Sequence, residues 1–196
     1  MRHLFAAVCV VAAAAAAQPL GAQPLQVPRP GMPSPGAPPQ PNLLQEAARS
    51  VGVRKCLPAV ERLSALAIAG SRNHDVLADW DRAHPDDGAF FSLMGINYGG
   101  QSIAATITTI PQPDGSCTLA AERISVAPFT CQSIAEVELR GYRPTPLLPT
   151  FTVYTRPDDP GASVSLIDSP PGCLVIRRHV QYAWRDPGAA PAQGSR

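Results

Sequence analysis

The sequence predicts an α+β domain, with N-terminal helices and one later helix packed on an antiparallel sheet of about six strands. Three observations predict it. Apolar residues follow helical spacing between 42 and 70, the period changes to two after residue 88, and glycine- or proline-containing turns separate the alternating runs. Helices followed by meanders imply helices segregated to one face of an antiparallel sheet.

Asn42 is placed to cap a first helix, in which Leu43, Leu44, Ala47 and Ala48 share a face. A second helix is expected from Leu57 to Ile68, with Pro58 tolerated in its first turn and Gly70 placed to end it. "AFFSLMGINY" reads as a strand. "QSIAATITTI" puts Ile103, Ala105 and Ile107 on one face and Thr106 and Thr108 on the other, and "CTLAAERISV" completes a three-strand meander. "CQSIAEVELRGY" reads as the later helix, ended by Gly141. A second meander follows in "TFTVYT" (150–155), "SVSLID" (163–168) and "CLVIRRHVQYAW" (173–184).

The N-terminus bounds the compartment. Arg2 and His3 precede an uncharged apolar run from Leu4 to Ala17, and small residues follow, so residues 1–22 read as a secretory signal cleaved after Ala17 or Ala22. The run is shorter than the roughly 20 residues of a membrane span, and no transmembrane segment is expected in the mature chain. Residues 23–42 read as a disordered proline-rich leader, since nine of the 25 residues in 18–42 are proline and cannot donate backbone hydrogen bonds. The domain itself spans 43–185, and 186–196 is expected to be a disordered tail. Alanine and proline richness, with Lys55 the single lysine, suggests a GC-rich bacterial genome and hence a periplasmic or secreted protein.

Export decides how the cysteines read. Cys9 leaves with the signal. Cys56, Cys117, Cys131 and Cys173 remain and predict two disulfides. Alternating up and down strands would set Cys117 and Cys173 at one end of the sheet, giving Cys117–Cys173 and Cys56–Cys131, with Cys117–Cys131 disfavoured. A formal net charge of +1 predicts no nucleic-acid partner.

Candidate chemistry is sparse. "NHDVLADWDRAHPDDG" (73–88) gathers Asp79, His84 and Asp86, which could converge on a metal. Its spacing fits neither a calcium loop nor H-E-x-x-H, and it reads as a solvated loop with one helical turn capped by Asp75. "GQSIA" (100–104) begins like a nucleophile elbow but ends in alanine and opens a hairpin strand. No glycine-rich phosphate loop is present, no cofactor is implied, and no catalytic constellation assembles. Along the last strand, Leu174, Ile176, Arg178, Val180, Tyr182 and Trp184 fall on one face by alternation, and Arg177 and His179 on the other. Arg177, Arg178 and His179, with Tyr154 on a neighbouring strand, are the candidate binding residues, arginine and tyrosine being the types that anchor interfaces. The expected function is an exported binding or interaction domain, an inhibitor or envelope accessory protein whose partner is another envelope or extracellular protein. The alternatives are a small metal-dependent hydrolase centred on 74–87 and a structural envelope component.

Overall fold

The computed structural model describes residues 41–188, so the signal, most of the leader and most of the tail lie outside the described residues. Within it, α1 (Leu43–Ser50) and α2 (Leu57–Ile68) precede four strands, β1 (Asn73–Trp80), β2 (Phe90–Asn97), β3 (Ser102–Pro111) and β4 (Cys117–Ala127). Then α3 (Cys131–Glu138) leads into β5 (Arg143–Leu148), β6 (Phe151–Arg156), β7 (Asp159–Ser169) and β8 (Gly172–Trp184). All eight strands form one antiparallel sheet in the order β1-β2-β3-β4-β8-β7-β6-β5. The expected six strands in two three-strand meanders are therefore eight in two four-strand meanders.

The order is a palindrome, and the two halves repeat one plan of helix and four strands. The halves meet where β4 pairs with β8, with Glu122 opposite Arg178 and Ala127 opposite Cys173. Cys173 stands near the start of β8 as Cys117 stands at the start of β4, and the same step in number carries Glu122 onto Arg178. The sheet therefore has a local pseudo-twofold axis through that residue pair.

Capping and burial explain the helices. The Asn42 side chain accepts from the Gln45 N–H at 3.1 Å and donates to Ser64 Oγ at 2.7 Å, which ties α1 to α2. Leu44, Ala48 and Val60 are fully buried against Phe90, Met94, Ile96 and Ile107 of β2 and β3. Gly70, at φ 75°, takes the left-handed conformation after α2 that side chains with a Cβ resist. At the other end, Ile134 and Leu139 bury against Val164, Leu166 and Val175.

Two unforeseen strands have physical explanations. The span 73–80 is strand rather than loop, because His74, Val76, Ala78 and Trp80 alternate toward the helices while Asn73, Asp75, Leu77 and Asp79 are exposed. Asp75 therefore caps no helical turn. Strand β5 carries Pro144 and Pro146, which a strand tolerates at the edge of a sheet, and β5 is an edge.

The disulfides join Cys56 to Cys117 and Cys131 to Cys173, correcting the expected Cys117–Cys173 and Cys56–Cys131. The cause is β5. An additional strand between α3 and β6 reverses the direction of every later strand, so β8 runs antiparallel to β4 and its cysteine lies at the far end of the sheet. Each disulfide ties the start of a helix to the last strand of its own half. The Cys173 backbone comes close to β4 as well, for a Cβ on Gly172 would run into the Ala127 carbonyl. Among the described residues, no helix is long and apolar enough to cross a membrane.

Candidate functional site

Helix α1 lies over β1 and β2, α2 over β3 and β4, and the short α3 over β7 and β8, so the seam between β4 and β8 lies in a groove between α2 and α3. Residue type along the two strands matches this. On β4, Cys117 and Leu119 are buried, Ala121 is small and Arg123 is exposed. On β8, Cys173 and Val175 are buried, whereas Arg177, His179 and Gln181 are exposed. The apolar ends of the strands lie under helices and the polar middle is left open.

The groove has two lobes that share Leu63, Leu66, Ala121 and His179. One, of ≈ 290 Å³, adds Arg123 and Arg177; the other, of ≈ 390 Å³, adds Arg62, Gln181, Trp184 and Arg185. Leu66 forms part of the α2 wall and is 68% exposed, unusual for a leucine beside a core.

The cations are held in different ways. The Arg123 guanidinium lies 5.1 Å from the Tyr98 ring centroid, and the Tyr98 hydroxyl donates to the Ala67 carbonyl of α2. Arg177 pairs with Glu138 of α3. Arg185 donates to Asp114 Oδ2 at 2.8 Å. The Ser116 hydroxyl first, with the Ser116 backbone N–H and the Arg185 charge, holds the Asp114 carboxyl below the usual carboxylate range. Arg62 has no acidic partner within salt-bridge distance among the described residues. Four arginines and a histidine thus line a trough with leucine walls, and this arrangement suits an anionic ligand that also carries apolar groups.

The four candidate binding residues separate. Arg177 and His179 line the groove together. Arg178 turns to the opposite face, where its Nε lies 3.5 Å from Glu122 Oε1. Tyr154 shares a row with Arg177, but Val164 of β7 stands between them, and Tyr154 packs into the cluster around Ile134. Trp184 corrects the alternation. Ala183 has φ 49° and the β4–β8 register slips between Cys117 and Leu119, which turns Trp184 to the helix side against the Cys56–Cys117 bridge. The face shared by Leu174, Ile176, Val180 and Tyr182 is the one without helices.

The acidic span 73–88 is also dispersed. Asp79 is exposed on edge strand β1. Asp86 Oδ1 accepts from the backbone N–H groups of Arg54 and Lys55, both at 2.7 Å. His84 Nδ1 lies 3.4 Å from Asp81 Oδ2, and Asp81 is held below the usual carboxylate range chiefly by the Ala83 and His84 backbone N–H groups. Among the described residues, no three His, Cys, Asp or Glu side chains gather to hold a metal ion.

Sequence reasoning missed Arg123, though period two from Cys117 through Leu119 and Ala121 carries to it. Arg62, Leu63 and Leu66 join the site only because α2 crosses β4, which no local pattern records. No family model, no curated protein and no solved structure matches the chain.

Proposed function

We propose that this chain is an exported binding domain that takes an acidic, partly apolar segment of another envelope or extracellular protein into the groove between α2 and α3. It acts there as an accessory or inhibitory module rather than as an enzyme. The observation that carries this reading is the juxtaposition of exposed Leu66 with Arg62, Arg123, Arg177 and His179 along one trough. Apolar contact supplies affinity, and the guanidinium groups supply orientation and selection of negative charge.

The test is capture from envelope extract by immobilised protein, with Arg62→Glu/Arg123→Glu and Leu66→Asp as comparators. Arg62, Leu66 and Arg123 are all exposed, so both variants keep the parent circular dichroism spectrum. The expected result is a discrete partner retained by the parent, lost in both variants, and released by raising salt toward 1 M, where the screening length falls to about 3 Å. A partner retained equally by all three proteins removes the groove from the reading.

A further inference from the structure

The sheet has a second face, opposite the helices, that nothing covers among the described residues. Leu77 (63% exposed), Leu93 (46%), Val126 (60%) and Tyr182 (75%) lie on it. Monomeric proteins rarely expose contiguous apolar surface beyond a few hundred Å². At its centre, on the seam, stands the Glu122–Arg178 pair. We infer that this face is an interface between two copies of this chain, packed sheet to sheet, with Glu122 of each copy set against Arg178 of the other.

The register at the seam makes the centre of this face complementary to itself. Consider a second copy turned by half a revolution about an axis that lies between the two sheets and runs along the seam. That rotation exchanges the β4 and β8 sides and leaves height along the strands unchanged. Because Glu122 and Arg178 are directly opposite in register, the partner copy brings arginine over Glu122 and glutamate over Arg178. The same operation sets isoleucine on isoleucine, since Ile124 and Ile176 are opposite one another. An offset of about 30° between aligned sheets shifts the outer strands and leaves the centre on the axis.

Size agrees with this. Strands repeat at about 4.8 Å, so six of them span about 29 Å, and six residues at about 3.3 Å rise add about 20 Å of height. That is on the order of 600 Å² per copy, or on the order of 1,200 Å² in total, the lower bound of a stable standard-size interface. Residues 18–40 are poor competitors for the face, since Leu20, Leu25, Val27 and Met32 are their only large apolar side chains. A bare lipid surface is disfavoured by the charge pair at the centre.

A charge exchange tests this independently of the groove. Molecular mass is measured by sedimentation equilibrium on the protein, on Glu122→Arg, on Arg178→Glu, on the double variant, and on an equal mixture of the two single variants. Leu93→Asp, away from the pair, serves as a second interface probe, and circular dichroism establishes folding in each case. The expected result is twice the chain mass for the parent, the double variant and the mixture, and the single-chain mass for Glu122→Arg, Arg178→Glu and Leu93→Asp taken alone. A parent that remains a single chain at concentrations on the order of 100 μM, tenfold above a Kd of about 10 μM, overturns the proposal. So does a dimer that persists unchanged in both single charge variants.

Discussion

Loss of either disulfide should cost about the same, and the loop lengths supply the figure. Cys56–Cys117 closes a separation of 61 residues and Cys131–Cys173 one of 42. In the chain-entropy treatment each removes about 4 kcal/mol of freedom from the unfolded chain, and the two differ by only about 0.3 kcal/mol. With a urea slope of about 2 kcal/mol per molar, replacing one pair by alanines lowers the unfolding midpoint by about 2 M. Losing both removes on the order of 8 kcal/mol from a total that is usually about 5–15 kcal/mol, so the fully reduced domain is at the limit of folding. The pairing itself is read by non-reducing tryptic mapping. Cleavage after Lys55, Arg62, Arg82, Arg123, Arg140 and Arg177, with the Arg-Pro bonds at 143 and 156 resisting, places the four cysteines on four peptides. The expected links are 56–62 to 83–123 and 124–140 to 141–177. Recovery of 83–123 joined to 141–177 would mean that β8 runs parallel to β4, and the topological reasoning would fail with it.

His74 makes stability depend on acid. Its Nδ1 is buried without a partner, its Nε2 accepts weakly from the Leu43 N–H at 3.4 Å, and burial lowers its pKa despite the charge of Asp75. A depressed folded pKa gives stability that is present above the unfolded value of about 6.5 and lost as pH falls below it toward the folded pKa. The urea midpoint should therefore fall between about pH 7.5 and pH 5.5, and His74→Gln should flatten that fall; an identical slope in the variant refutes the assignment. Metal ions should leave the domain unmoved. Zn²⁺, Ca²⁺ and Mn²⁺ should not raise the melting temperature, whereas a ligand at 100 times its Kd adds about 2.7 kcal/mol. A rise abolished by Asp79→Ala or His84→Ala would restore the metal reading of 73–88.

What was legible in the sequence was periodicity that had a covered face behind it. Strand β3 announced its orientation through Ile103, Ala105 and Ile107, all buried as expected. All three helices were visible through spacing, proline and glycine. The failures lie at the sheet margins. An edge strand needs only one apolar face and tolerates what a central strand does not. The aspartates of β1 and the prolines of β5 therefore masked real strands, and the omission of β5 propagated into the cysteine pairing. Trp184 was assigned to the wrong face because one residue beyond strict alternation reverses everything after it. Of the groove, Arg177 and His179 could be read from β8 alone, because alternation sets them opposite Arg178. Leu63, Leu66 and Arg62 could not, because their place in the groove depends on how α2 crosses the sheet.

The placement of the two bridges divides the covalent network of the molecule. Cys56–Cys117 lies wholly before the connection at Pro128-Phe129-Thr130, and Cys131–Cys173 lies wholly after it. No bridge spans that connection. A single cut there would yield two pieces, each still closed on itself, joined only by the β4–β8 ladder and the side chains around the seam. The halves would migrate apart in detergent without any reductant, yet they could be supplied separately and reassemble along that ladder. The seam that forms the floor of the groove is thus also a plane through which the two halves can be parted without breaking either disulfide.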